Sequence, residues 1–333
     1  MDKEKAKKLA TQFAPVFAQK ISKEWPIADQ IATVDFTGKI EKVADNYNKL
    51  FTFDKNDIIP AKVYYSICET TTHYFLFYAV YHVFDWWKKD EPEDLYNYIR
   101  DKLDEHIHDM EGILLVVTKD YYKSDEKVRD SVVDGLITVA HNNFYLFSEP
   151  MIPADIGESK PRENNLKVVK FNETVDGNIW LDKETLRVKV YIESHGHGIH
   201  GDHKRWGGGD YIWYYKPEEE KKTPGTIDKT EKDTTDSKTY ELEDIFKDNG
   251  LWENRYNDKV FRQNKNGRSG FVYRDKKRLY GGAANPPWSM NDHNDTSPIG
   301  EIATDPAIFI SRYAQGWGGV SNLYLYNPYL NIK

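Results

Sequence analysis

Between residues 61 and 147 the chain carries four long runs in which aromatic and β-branched residues dominate. They are AKVYYSIC (61–68), HYFLFYAVYHV (73–83), GILLVVTKD (112–120) and GLITVAHNNFYLF (135–147). Each predicts a strand buried on at least one face. NLKVVKF (165–171), LRVKVYIES (186–194) and YIWYYK (211–216) extend the series. Irregular links separate most of these segments, which argues for a sandwich or barrel over βαβ units. One link, EDLYNYIRDKL (93–103), reads as a short helix, acidic at its start and with Arg100 and Lys102 near its end. The 23 Tyr and 9 Trp suit sheets and aromatic-lined surfaces better than a helical bundle. The predicted fold class is mainly β with peripheral helices: a β-sandwich with an N-terminal amphipathic helix.

That helix is placed at residues 3–21, where Leu9, Phe13, Val16, Phe17 and Ile21 recur at helical spacing and Pro15 interrupts. The domain reading is a helical segment, 1–58, packed on a sandwich domain, 59–333. The stretch 216–244 is charged, Thr-rich and almost free of apolar residues, and reads as an exposed insertion. LEDIFKDNGLW beyond it suggests another short helix, and the tail from Asn285 an irregular but packed end. With 333 residues the chain can bury a sizeable core. Its single cysteine, Cys68, excludes an intrachain disulfide. A net charge of -8 gives no general attraction to nucleic acid. No stretch approaches the ~20 apolar residues of a membrane span, and Met1 to Gln19 lacks a signal-peptide pattern. The expected location is cytoplasmic, or secreted by a signal-independent route.

Function is written mainly in the histidines. Nine of the ten lie between residues 73 and 203, several at or just past strand ends, where a sandwich gathers its loops. The densest group is EHIHDMEG (105–112), with His106, His108, Asp109 and Glu111 as potential ligands. In an extended chain Asp109 and Glu111 share one face, and His106 and His108 the other. Oxygen ligands with one imidazole favour Mg²⁺, Ca²⁺ or Mn²⁺; two imidazoles turn the preference towards Zn²⁺ or Fe²⁺. The alternative is a solvated loop between helix and strand. ESHGHGIHGDH (193–203) is the second group, with His195, His197, His200, Asp202 and His203 among three glycines that permit an open loop. It fits no H-E-x-x-H pattern, and a His-rich surface loop with adventitious metal affinity competes with a specific site. Asp85 ends one apolar run and His141 another, while His82 reads as a satisfied core residue. There is no G-x-S-x-G elbow, P-loop or G-x-G-x-x-G fingerprint.

EHIHDME resembles the heptapeptide G-H-R-H-D-W-E of the necrosis- and ethylene-inducing-like proteins, with His106, His108, Asp109 and Glu111 identical. In that family an apolar strand ending in a lone Asp precedes the heptapeptide, as FLFYAVYHVFD (75–85) does here, and an apolar strand follows it. The later blocks, LITVAHNNFY and VKVYIESHGHG, are similar in kind and order to those of the distantly similar vacuolar-protein-sorting-type family. The resemblance covers about residues 60–205. It implies a β-sandwich with a divalent metal in an acidic cleft at one end. By position, Asp85 and Asp109 would be direct ligands, and His106 and Glu111 would act directly or through water. It further implies recognition of a lipid or glycan head group at a membrane surface. The chain departs from the family at Glu105, Ile107 and Met110, in its length and in the 216–244 segment.

Three readings follow. One is a metal-dependent protein that recognises a lipid or carbohydrate head group through an acidic/histidine cleft, cytolysin-like in action, with His141, His195, His197 and His200 as ligand contacts. Another is a hydrolase using metal-activated water, with His108 or Glu111 as base. The third is a structural protein stiffened by its metal.

Overall fold

The computed structural model describes residues 1–22, 28–36, 60–83, 108–119, 132–151, 175–201, 211–218, 236–257, 260–261, 272–274, 277–279, 284–293, 297–314 and 319–333. The predicted helix at 93–103, the predicted strand at 165–171, and Asp85, His106, Asp202 and His203 lie outside them.

The chain opens with α1 (Lys3–Gln12), capped by Asp2, whose carboxylate accepts the Lys5 N–H at 2.7 Å. The helix is shorter than the sequence pattern predicts. Pro15 follows its end, and Val16–Ile21 form strand β1 instead. Their apolar residues are buried as expected, but in a strand covered on both faces. Arg187 closes the helix C-terminus by donating to the carbonyls of Thr11, Gln12 and Ala14 at 2.6, 3.0 and 3.1 Å.

Then come β2 (Ala61–Thr70), β3 (His73–His82), β4 (Asp109–Thr118), β5 (Val132–Ala140) and β6 (Asn143–Met151), an antiparallel meander. The remaining strands are β7 (Gly177–Trp180), β8 (Lys189–Ile192), β9 (Ile199–His200), β10 (Tyr211–Pro217), β11 (Asp236–Asp244), a small β12–β13 hairpin (Val272–Arg274, Lys277–Leu279) and β14 (Tyr324–Tyr326). Twelve strands make one sheet in the order β7-β6-β5-β4-β3-β2-β11-β10-β1-β8-β9, with β14 also on β2. The sheet curls until β9 lies against β4 and β5. The two layers of the predicted sandwich are thus the two halves of one continuous sheet.

Alternation assigns the faces. In β3, Tyr74, Leu76, Tyr78 and Val80 point inward, and in β4 so do Ile113, Leu115 and Val117; they meet Phe17, Ile21, Val190, Ile199 and Tyr215 from the opposite half and Leu9 and Ala10 of α1. Phe75, Phe77, Ala79 and Tyr81, with Leu114 and Val116, point outward. There they are covered by residues 28–34 and by the C-terminal helices α2 (Glu301–Thr304) and α3 (Pro306–Tyr313). Burial on both faces is why these strands read as unbroken apolar runs.

Two sequence expectations change here. The last nine residues of the charged 216–244 stretch form β11, a central strand between β10 and β2. Tyr240 is buried in the inner layer, while Glu243 is paired to Lys62 at 2.6 Å. Few inward positions sufficed to place it, so the composition concealed a strand. Ile245–Trp252 forms turns rather than a helix. No helix among the described residues is long and apolar enough to cross a membrane.

Candidate functional site

The inner layer turns polar at the end of the sheet where β3 finishes and β4 begins. His82 and Asp109 are paired across these strands, and both occupy inward positions by the alternation set out above. Gln19 enters from β1, on the same parity as inward Phe17 and Ile21. His197 enters from the β8–β9 loop and Asp29 from the segment after β1. Side chains from five separate stretches therefore meet in a layer that is almost wholly buried: Gln19, Asp29, His82 and His197 are fully covered, and Asp109 is 6% exposed.

His82 Nε2 lies 2.9 Å from Gln19 Oε1. The Gln19 amide nitrogen donates to the carbonyls of Lys20 and Glu193 at 3.0 and 3.2 Å, so its oxygen faces His82 and accepts the Nε2–H. His82 Nδ1 is left buried without a hydrogen-bond partner. Burial, reinforced by neighbouring His197, holds the His82 pKa well below the usual histidine value. This ring is neutral.

His197 is the opposite case. Its Nδ1 lies 3.2 Å from Asp109 Oδ2, and its Nε2 3.3 Å from Asp29 Oδ1. Burial would lower its pKa, but the two carboxylates outweigh it and raise the value to about 9. Asp29 is itself fixed, accepting the Ser22 and His195 N–H groups at 2.7 and 2.8 Å. The His82 and His197 rings stack, centroids 3.9 Å apart and 4° from parallel.

His82, Asp109 and His197 each present one donor atom within 4.8 Å of the others, the only such group among the described residues. They could hold a metal ion, and the donor chemistry fits one: a bare buried imidazole lone pair beside a carboxylate and a second imidazole. The orientation fits less directly. Parallel stacked rings direct their lone pairs side by side, so one ion on both requires the rings to turn apart and His197 to release the proton it shares with Asp109.

Above this layer lies a more open rim. Glu111 follows Asp109 on the inward face, and its carboxylate accepts the His141 N–H at 3.1 Å. The His141 side chain, half exposed, pairs with Glu193. His200 Nε2 stands 3.7 Å from the other Glu193 oxygen, with the Tyr145 ring 5.3 Å from the His200 ring. Burial would raise the Glu193 pKa, but His141 and His200 together bring it down to about 2. The loop needs its glycines: a Cβ at Gly196 would run into the His141 ring, and one at Gly198 would stand 2.8 Å from Ala140 Cβ. His141, Asn142, His195 and His197 all adopt left-handed backbone, with φ of 53°, 58°, 77° and 51°, a conformation that collects at functional loops.

Of the predicted ligands, Asp109 is in the three-residue group, Glu111 supports the rim, and Asp85 and His106 lie outside the described residues. His108 takes the outward face, as the alternation predicts. There its Nδ1 lies 2.7 Å from the Tyr81 hydroxyl and 3.2 Å from the Val83 carbonyl, away from Asp109. Of the four predicted contact histidines, His197 is buried in the group, His141 and His200 form the rim, and His195 hydrogen-bonds Ser194. The sequence pattern presents His82 as an ordinary core residue and marks neither Gln19 nor Asp29. Parity was the available signal for His82, since it falls on the inward face beside Asp109; nothing local marks the other two.

No family model matches the chain, and no curated protein matches it. Solved structures do. Necrosis and Ethylene inducing Protein 2 from the causal agent of cocoa's witches' broom disease is 14% identical, covering 60% of this chain and 69% of its own, with a TM-score of 0.30. A structure described as a toxin fold for microbial attack and plant defense is 15% identical, covering 61% and 70%, with a TM-score of 0.29. NLPPya, solved with glucosamine, is 15% identical, covering 59% and 66%, with a TM-score of 0.28. The chain thus resembles the necrosis- and ethylene-inducing proteins, the family its heptapeptide resembles; the vacuolar-protein-sorting-type likeness has no counterpart among these structures.

Proposed function

We propose that this chain is a divalent-metal-binding β protein that recognises a lipid or glycan head group at the rim of the curled sheet, in the manner of a cytolysin-like effector. The observation that supports it is the stacking of two layers. A buried donor group of His82, Asp109 and His197 lies beneath a more exposed set, His141, Glu193 and His200 with Tyr145. The rim offers hydrogen-bonding groups of both signs beside an aromatic face, the combination that holds a sugar ring. The buried layer grips it from below, through Gln19 to the Glu193 backbone and through Glu111 to the His141 backbone. An ion in the lower layer would therefore stiffen the surface that meets the ligand. The motif order shared with necrosis- and ethylene-inducing-like proteins makes a membrane-borne head group the first ligand to try.

The test uses protein purified without a histidine tag, assayed on glycan arrays and on vesicles bearing glycosylated lipids, with and without chelator. Binding should be chelator-sensitive, abolished in Asp109→Ala and reduced at least tenfold in His141→Ala, with both variants folded by circular dichroism. Binding that survives chelator and Asp109→Ala would overturn the metal-dependent reading. Absence of binding to every head group, with one ion bound, would leave only a metal that stabilises the fold.

A further inference from the structure

We propose that His82, Asp109 and His197 form a site for a transition-metal dication of the zinc class, with Gln19 and Asp29 as its positioning residues. This rests on the metal reading above and sharpens it by assigning the class of ion and the two groups that aim the ligands.

The donor set decides the class. Calcium and magnesium gather six or more oxygens or retain water. Two imidazoles with one carboxylate is instead a set taken by zinc and by iron(II). Asp109 and His82 stand opposite each other on paired strands, the most rigid placement the fold offers.

The tautomers agree with it. Gln19, locked by its two donated hydrogen bonds, takes the Nε2–H of His82 and leaves Nδ1 as a buried lone pair with no protein partner. A buried acceptor in that state is costly unless something fills it. His197 repeats the arrangement. Its Nε2 faces Asp29, which backbone N–H groups of Ser22 and His195 hold in place, and its Nδ1 faces Asp109. A carboxylate or amide behind the far nitrogen of each imidazole is the usual support of a metal-bound histidine. Binding one ion on both rings requires each to turn about its anchor so that the pair unstacks.

The experiment strips tag-free protein with chelator and titrates it with Zn²⁺, Co²⁺, Ca²⁺ and Mg²⁺ by calorimetry, reading Co²⁺ also by its visible absorption. One Zn²⁺ per chain is expected, with Co²⁺ bands of a low-coordinate nitrogen–oxygen site. Both should be lost in His82→Ala and in His197→Ala, and unchanged in His293→Ala, whose residue is exposed. Gln19→Leu and Asp29→Asn should weaken Zn²⁺ about 10- to 100-fold and shift the Co²⁺ bands, which a merely structural role would not do. If either histidine variant fails to fold, Gln19→Leu carries the test. Stoichiometric Ca²⁺ or Mg²⁺ binding that needs Asp109 but not His82 would overturn this inference and leave the head-group reading intact. Zn²⁺ binding lost in His293→Ala alone would overturn it as surface capture, and no ion of any kind would overturn both.

Discussion

Strands β3 and β4 end in histidine-containing polar groups at both extremities, and the two are built differently. At the near end, His73 Nδ1 lies 2.8 Å from Thr72 Oγ1 and its Nε2 3.2 Å from Thr118 Oγ1. Glu69 pairs with Lys119 at 2.6 Å and with half-exposed Lys5 at 3.6 Å. Glu69 and His73 are themselves buried, but the partners of His73 are adjacent in sequence or on the next strand, and Lys5, which comes from α1, reaches solvent. At the far end, two imidazoles and two carboxylates are buried together, drawn from four stretches of chain, with His82 Nδ1 unmatched and His197 Nε2 held only by the ion pair to Asp29. The first arrangement finishes a sheet cheaply. The second is expensive, because buried charge is tolerated only when paired closely and oriented well. Such cost at one end of an otherwise apolar interior is what marks that end as the working one.

The largest effect should come from removing one charge at each end. Asp109→Ala leaves the His197 imidazolium with Asp29 alone and should cost about 3–5 kcal/mol. Glu69→Ala leaves Lys5, which reaches solvent, and Lys119, whose Nζ still donates to the Thr70 carbonyl, so it should cost less, about 1–2 kcal/mol. Urea unfolding of both variants compares them; equal costs would erase the distinction between the ends.

The pH dependence should separate them next. His197 has a folded pKa near 9 against an ordinary value of 6.5. Its contribution is complete below pH 6.5 and is lost as the pH rises through about 9. His73 is shifted the other way, down, by burial and then by Lys119, so its contribution is complete above pH 6.5 and declines on acidification; His82 behaves alike. Metal-free protein should therefore lose stability on the alkaline side because of the far end alone. His197→Gln should flatten the urea midpoint between pH 7 and 9.5, and His73→Gln should leave that limb unchanged. A wild-type midpoint with no alkaline fall would count against the doubly paired imidazolium.

The sequence makes the two ends look alike, and the reason is physical. Strand identity in β2–β6 follows from composition, because both faces are covered and every position wants an apolar residue. The face of each side chain follows from alternation, which puts Asp109 and His108 on opposite sides of the sheet. α1 is shorter than the spacing predicts because Val16, Phe17 and Ile21 satisfy a helix's spacing and a strand's burial alike, and only Pro15 tells them apart. β11 was hidden because a strand in a curled sheet can do with one or two buried residues among charges. Asp29 and Gln19 could not be read at all. Their roles exist only once β1 lies between β8 and β10, and no local pattern encodes a pairing that joins residues more than 150 positions apart.

The smallest substitution probes the dependence of the far end on its loop. Gly198 separates His197 from β9, and a Cβ there would meet Ala140 Cβ at 2.8 Å, Glu193 Oε1 at 2.9 Å and His141 Nε2 at 3.1 Å. Ala140 ends a strand and cannot retreat, so the loop must move, taking His197 away from Asp109 and Glu193 away from His141. Gly198→Ala should cost about 1–3 kcal/mol and should weaken metal and head-group binding together, because one loop carries a residue of each layer. Gly177→Ala is the control: its nearest atom is Phe147 Cδ1 at 3.6 Å, ordinary contact, and binding should not change. Calorimetry with metal and a vesicle assay on the same preparations read both. A Gly198→Ala protein that keeps its metal affinity but loses the head group would show that the layers are independent. The buried group would then be a stabilising element beneath a binding surface that the rim assembles for itself.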